Sequence, residues 1–237
     1  MRAFIVFLVV IGSGCASRQP ISAAEAELRT APLQKAPDFF FATAKATYFD
    51  SKRRLKGELG LVVAAPDRMY VEVRGPGSTP ISTFVTRGGK AQLHDLEGPG
   101  FYAGAATAHA LSRILPIGLP IPQAVALLSG RLPVPKNPSR SEGKGAKVYL
   151  EGSIEHFGKV RLEGEGDRWV LALVDRGLTL RFEDRHPSGL FQRLEIIDQP
   201  QRREVVFDLI DLDLSGEPPA DEVFQLEVPA GLEVQPL

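Results

Sequence analysis

Four histidines, His94, His109, His156 and His186, are the first side chains to test for catalysis or metal binding. None has a second His four residues away or a Cys partner, the spacing that presents zinc ligands together. His94-Asp95 could form half of a general-base pair, but neighbours on a strand point to opposite faces, so the dipeptide reads as surface. Asp208, Asp211 and Asp213 could collect a cation, yet strand spacing divides them between two faces. No Gly-x-Ser-x-Gly elbow or phosphate-binding loop occurs. Gly164-Glu165-Gly166-Asp167 runs straight into a strand pattern and reads as a hairpin turn. Lys52-Arg53-Arg54 and Arg202-Arg203 read as solvated clusters at turns, and Trp169 reads as core. The expectation is a chain that is not an enzyme and needs no cofactor and no metal.

The remaining reactive side chain is Cys15, the only cysteine. A lone Cys excludes an internal disulfide framework. Met1-Arg2 precedes nine apolar residues, Ala3-Phe4-Ile5-Val6-Phe7-Leu8-Val9-Val10-Ile11. That run falls short of the ~20 residues of a membrane span and fits the apolar region of a secretory signal. Gly12-Ser13-Gly14 then leads into Cys15. The arrangement resembles the lipobox of bacterial lipoproteins, with Gly12 where Leu is usual, and it implies cleavage before an acylated Cys15. Residues 1–14 are thus read as a lipoprotein signal peptide. Ala16, rather than Asp, follows the cysteine, which points to an outer-membrane lipoprotein whose domain faces the periplasm. Residues 15–37, polar with Ala and Pro, read as the lipidated Cys and a tether. Within it, 22–29 could form a short helix with Ser22 as N-cap and Glu25 three residues on.

The elements beyond must position whatever the protein binds. Of 237 residues, 43% are hydrophobic and 24% charged, a globular composition long enough for a sizeable core. A net charge of −1 gives no footprint for nucleic acid and no polybasic patch for anionic lipid. Alternation at period two predicts strands over 38–49, 57–63, 68–74, 81–86, 90–95, 147–151, 155–163, 168–173, 178–183, 190–198 and 203–214. In them Leu59 and Leu61, then Met69, Val71 and Val73, then Trp169, Leu171 and Leu173 each share a face. Two helices, 103–114 and 120–129, interrupt the strands and bring Ile114, Val125 and Leu128 to one side; a Pro- and Gly-rich loop follows at 133–146. The fold expected is mainly β, one curved antiparallel sheet or barrel of about ten or eleven strands over 38–237. Helices cross its concave face, with the interior either filled or hollow.

Several short segments follow one another along the chain: Ala65-Pro66-Asp67-Arg68-Met69-Tyr70-Val71-Glu72, Arg74-Gly75-Pro76-Gly77, Phe101-Tyr102-Ala103-Gly104, Leu127-Leu128-Ser129-Gly130 and Phe224-Gln225-Leu226-Glu227-Val228-Pro229-Ala230-Gly231. Together they span nearly all of 38–237, and the chain resembles the LolA/LolB superfamily, especially LolB-like outer-membrane lipoproteins. The resemblance implies an unclosed antiparallel β-barrel whose α-helical lid, about 103–130 here, covers an apolar cavity for lipoprotein acyl chains. It implies a lipid-binding chaperone in lipoprotein localisation, a form of protein transport, that receives lipoproteins from a periplasmic lipoprotein carrier and inserts them into the outer membrane; the chain is expected to be monomeric. The acyl cavity would be lined by Leu59, Leu61, Met69, Val71, Val73, Ile114, Val125, Leu128, Trp169, Leu171 and Leu173. LolB-like receptors carry an exposed Leu in a loop after the third strand; the 75–81 loop here has none and offers Pro76, Pro80 and Ile81 for membrane insertion. The alternative is a structural or sensory envelope lipoprotein that uses the same fold, its interior filled, to bind a protein partner.

Overall fold

A computed structural model describes residues 17–52, 54–98, 100–115 and 118–237. The segment expected to be a signal peptide, and Cys15, lie outside the described residues. The chain opens with β1 (Gln19–Pro20), α1 (Ala23–Thr30) and a 3-10 turn at Ala31–Gln34. Two eleven-residue strands follow, β2 (Phe39–Phe49) and β3 (Arg54–Ala64). Next come β4 (Arg68–Arg74), β5 (Pro80–Arg87), β6 (Lys90–Asp95) and β7 (Gly100–Ala105). Two helices, α2 (Ala108–Ser112) and α3 (Ile121–Leu128), separate these from the second run. That run comprises β8 (Arg140–Lys144), β9 (Lys147–Ile154), β10 (Gly158–Glu165), β11 (Arg168–Leu173), β12 (Leu178–Arg185), β13 (Phe191–Asp198) and β14 (Arg203–Asp213), and β15 (Val234–Pro236) closes the chain.

All fifteen strands form one sheet in the order β1-β8-β9-β10-β11-β12-β13-β14-β2-β3-β4-β5-β6-β7-β15. Its edges, β1 and β15, do not meet, so the barrel stays open. Neighbours are antiparallel except β15, which runs parallel to β7. The two halves join where β14 pairs β2, Glu204 opposite Phe49 through Asp213 opposite Phe41. All eleven strands expected from alternation are present. The four additional ones had no alternation to show: β7 is Gly- and Ala-rich, β8 is polar, and β1 and β15 are very short.

The lid is shorter than its sequence suggests. Residues 103–105 continue β7, and α2 starts only at Ala108, where the Thr107 hydroxyl accepts from the Ala110 N–H at 3.1 Å. Small residues at 103–106 suit either conformation, and pairing to β6 decides it. At its far end α3 stops before Gly130, whose φ of +84° is the left-handed turn that glycine permits. A Cβ there would also sit 2.2 Å from the Gly189 carbonyl oxygen, so the helix end lies directly on the β12–β13 turn.

The tether also differs from the expectation, because most of it is docked. Ser22 does cap α1, accepting from the Glu25 N–H at 3.1 Å. Ala26, Thr30 and Leu33 are all buried, at spacings of four and three residues that put them on one side. Arg29 donates to the Gly145 carbonyl at 2.8 Å, and Arg185 donates to those of Pro32 at 2.6 Å and Lys35 at 2.9 Å. The folded unit therefore begins near Gln19 rather than at Asp38. A helix of this length is marginal alone; burial of its small residues against the sheet holds it. Leu33→Ala is expected to cost about 2–5 kcal/mol in urea denaturation, as for a core leucine. A change near zero would return the segment to a tether.

Candidate functional site

Alternation along β3, β4 and β11 points Leu59, Leu61, Met69, Val71, Trp169, Leu171 and Leu173 to the concave side, where all are buried. Register aligns them: Leu61 faces Val71, Val63 faces Met69, and Leu171 lies between Leu162 and Leu180. Val125 of α3 is buried against them, and Val73, Ile114 and Leu128 are half-buried at the margin of the same cluster. All eleven expected lining residues thus belong to one continuous apolar core.

The space left open is small and off-centre. Between α3 and the sheet remains a cleft of about 30 Å³. Its floor is Phe40 of β2, Leu59 and Leu61 of β3, Phe182 of β12, Phe191 and Leu194 of β13, and Phe207 and Leu209 of β14; Leu115, Leu127 and Leu128 cover it. Among the described residues, Gln192 is its one polar lining residue. Ligand pockets run to ~300–1,000 Å³, so this volume is one for water, and a ligand would enter only if the lid or the aromatic side chains moved. Of the expected residues, Leu59, Leu61 and Leu128 line the cleft, whereas Met69, Val71, Val125, Trp169, Leu171 and Leu173 are packed away from it. Trp169 even donates its indole N–H to the Gly166 carbonyl at 3.0 Å, as a settled core residue would. The phenylalanines were missed as lining residues, although alternation over the expected strand 178–183 puts Phe182 on the same face as Leu178 and Leu180; which strands curl closest beneath a lid is a tertiary fact.

Outside the cleft an open depression of about 600 Å³ shares Gln192 and Leu209 with it and continues along 210–215 beside His186. Here β14 carries a bulge: the register against β2 shifts between Leu209 and Asp211, leaving Ile210 unpaired and 49% exposed.

Loop 75–81 is a tight turn rather than a free arm. Pro76 and Pro80 are exposed, but Ile81 is half-buried with its side chain folded onto Gly75, where an added Cβ would meet Ile81 Cδ1 at 2.8 Å.

The polar residues that could have done chemistry have ordinary partners. His94 tilts against Phe101 with centroids 6.0 Å apart, while Asp95 accepts from the backbone N–H groups of Glu97 and Gly98. Asp208 pairs with Arg193 at 2.6 Å, and the backbone and hydroxyl of Ser215 hold the Asp213 carboxyl below its usual pKa. The strongest perturbation is on the outer face, where Tyr70 and Arg74 both donate to Glu72 and Arg74 also reaches Glu58. Burial, then the Glu72 hydrogen bond and charge, pushes the Tyr70 phenol up to about 12. Burial raises Glu72, but hydrogen bonds from Arg74 and Tyr70 outweigh it and hold the carboxyl low. Among the described residues, no group of three or more His, Cys, Asp or Glu could hold a metal ion, and no helix is long and apolar enough to cross a membrane.

No protein-family model matches the sequence, and no curated protein matches it. Solved structures do. A LolA superfamily protein from Nitrosomonas europaea superposes with a TM-score of 0.51 at 12% identity, over 87% of this chain and 98% of that one. A domain described as an outer membrane lipoprotein-sorting protein, from Vibrio parahaemolyticus, gives 0.54 at 11% identity, over 86% of this chain and 97% of that one. The open sheet with a helical lid is the LolA/LolB-like fold.

Proposed function

We propose that this protein is a non-enzymatic lipoprotein of the outer membrane that binds acyl chains of lipoproteins or related lipids beneath α3. Cys15, lipidated, would hold it there with the domain in the periplasm. The observation that carries the reading is the composition of the cleft: eleven apolar side chains and one polar one, beneath a lid on an open sheet of this fold. Such a surface offers a hydrocarbon chain burial worth about 0.8 kcal/mol per CH₂ and has only Gln192 to meet a polar group. Binding without insertion is what the residues support, since loop 75–81 leaves only Pro76 and Pro80 free to meet a bilayer.

One observation favours a second reading. The interior is nearly filled, as it would be in a structural or sensory envelope lipoprotein that binds a protein partner on its surface. Native mass spectrometry of the protein extracted from membranes separates the two: a co-purifying lipid or acylated peptide supports acyl binding, and a ligand-free domain held to another protein supports the alternative. Labelled palmitate should enter the wild type and not Cys15→Ser; equal labelling would refute the anchor.

A further inference from the structure

We infer that the rim of the sheet bearing the β12–β13 turn is the one that faces the bilayer, and that the acyl cleft opens toward the membrane there. This rests on the reading of Cys15 as the lipid anchor. The sheet has two rims. One holds the turns after β3, β5, β8, β10 and β12; the other holds those after β2, β4, β6, β9, β11 and β13, including the 75–79 loop.

The N-terminal chain leaves the domain at the first rim. Gln19 pairs opposite Gly143, beside the β8–β9 turn. Arg18 is pinned one residue earlier, its guanidinium 3.5 Å from the Tyr149 ring centroid and 3.8 Å from Glu163. Only Ala16 and Ser17 stand between Arg18 and Cys15, so three residue steps span at most about 11 Å. A long flexible tether would leave orientation open. This leash does not, because α1 and Leu33 dock the chain immediately behind it.

The mouth of the cleft is on that same rim. Gln192 stands one residue into β13 from the β12–β13 turn, and Leu209 and Ile210 lead to the end of β14 there. The bulge breaks the β14–β2 ladder at this point and presents Ile210 outward. The opposite rim is a strand length away, roughly 26 Å for eight residues such as those of β9 or β12. An 11 Å leash holds the first rim against the headgroups and keeps the 75–79 loop clear of them.

The test uses full-length acylated protein in phosphatidylethanolamine–phosphatidylglycerol vesicles carrying a headgroup spin-labelled phospholipid. Acylation blocks Cys15, so a fluorophore attaches only to an introduced thiol. Lys144→Cys marks the first rim and Ile210→Cys, three residues short of the β14 end, the mouth of the cleft on that side; Thr79→Cys and Gln201→Cys mark the second rim, and all four positions are exposed. Quenching is expected at Ile210 and Lys144 and lost at Thr79 and Gln201. Inserting a Gly-Ser spacer of about ten residues between Ser17 and Arg18 should erase the difference. Quenching at the second rim equal to or above the first overturns the inference, as does its absence at all four sites while the protein still floats with vesicles. The anchor reading is judged separately by flotation: it fails, and the orientation with it, if Cys15→Ser floats as the wild type does or if neither floats.

Discussion

Leu171→Glu is expected to unfold the domain, and not simply to empty a binding site. Leu171 is fully buried on β11, between Leu162 and Leu180, which are themselves fully buried. A carboxylate there would have leucine, and no cation, directly opposite it on both neighbouring strands. Burying an unpaired charge costs at least several kcal/mol even after relaxation, and a domain of this kind has about 5–15 kcal/mol in total. Circular dichroism should show loss of the cooperative urea transition. Leu171→Ala, which removes only apolar contacts, should stay folded at a cost of about 2–5 kcal/mol. If Leu171→Glu folds and melts cooperatively, the interior admits water and is more open than the packing of these three leucines indicates.

The difference between Leu171 and the residues around the cleft marks how far the sequence was legible. Period-two alternation identified every strand with a regularly apolar face, because one face of those strands must be buried whatever the fold. It also put the eight candidate lining residues that lie on strands on the face that the core covers. Alternation says which side of a strand is covered, not by what. Leu171 and Leu61 alternate equally well, yet one ends beneath other core residues and the other beside the residual space under α3. That depends on sheet curvature and on where α3 rests, which Gly130 against Gly189 fixes through a contact 59 residues apart in the chain. The docked N-terminal segment was hidden for another reason. Its buried residues are Ala26, too small to stand out, Thr30, too polar, and Leu33, a single leucine with no bulky apolar neighbour at strand spacing, and Arg29 and Arg185 hold it through backbone carbonyls that leave no mark in sequence. Loop 75–81 was a candidate for membrane insertion through the resemblance alone; its packing of Ile81 onto Gly75 makes it a compact turn.

Phe182→Ala should weaken the free protein and strengthen acyl-chain binding at the same time. Phe182 is almost fully buried, forms part of the cleft floor and packs against Phe191 with ring centroids 5.2 Å apart. Removing its ring costs about 3–5 kcal/mol, part of which is the cavity left behind. That cavity adjoins the existing 30 Å³, is walled by Leu and Phe, and so stays dry and receptive to hydrocarbon. A ligand that binds only the folded state returns about 2.7 kcal/mol at one hundred times its dissociation constant. A saturating fluorescent fatty acid should therefore raise the melting temperature of Phe182→Ala by more than it raises that of the wild type, whose lid must first move. Phe84→Ala supplies the comparison: Phe84 is fully buried on β5, opposite Val71, and does not line the cleft. Its loss should be of similar size and go unrepaired by the ligand. Equal rescue of both variants would place acyl chains elsewhere in the core. Rescue of neither would leave the filled interior as the working state of the protein and shift its function to the outer surface, where a protein partner would bind.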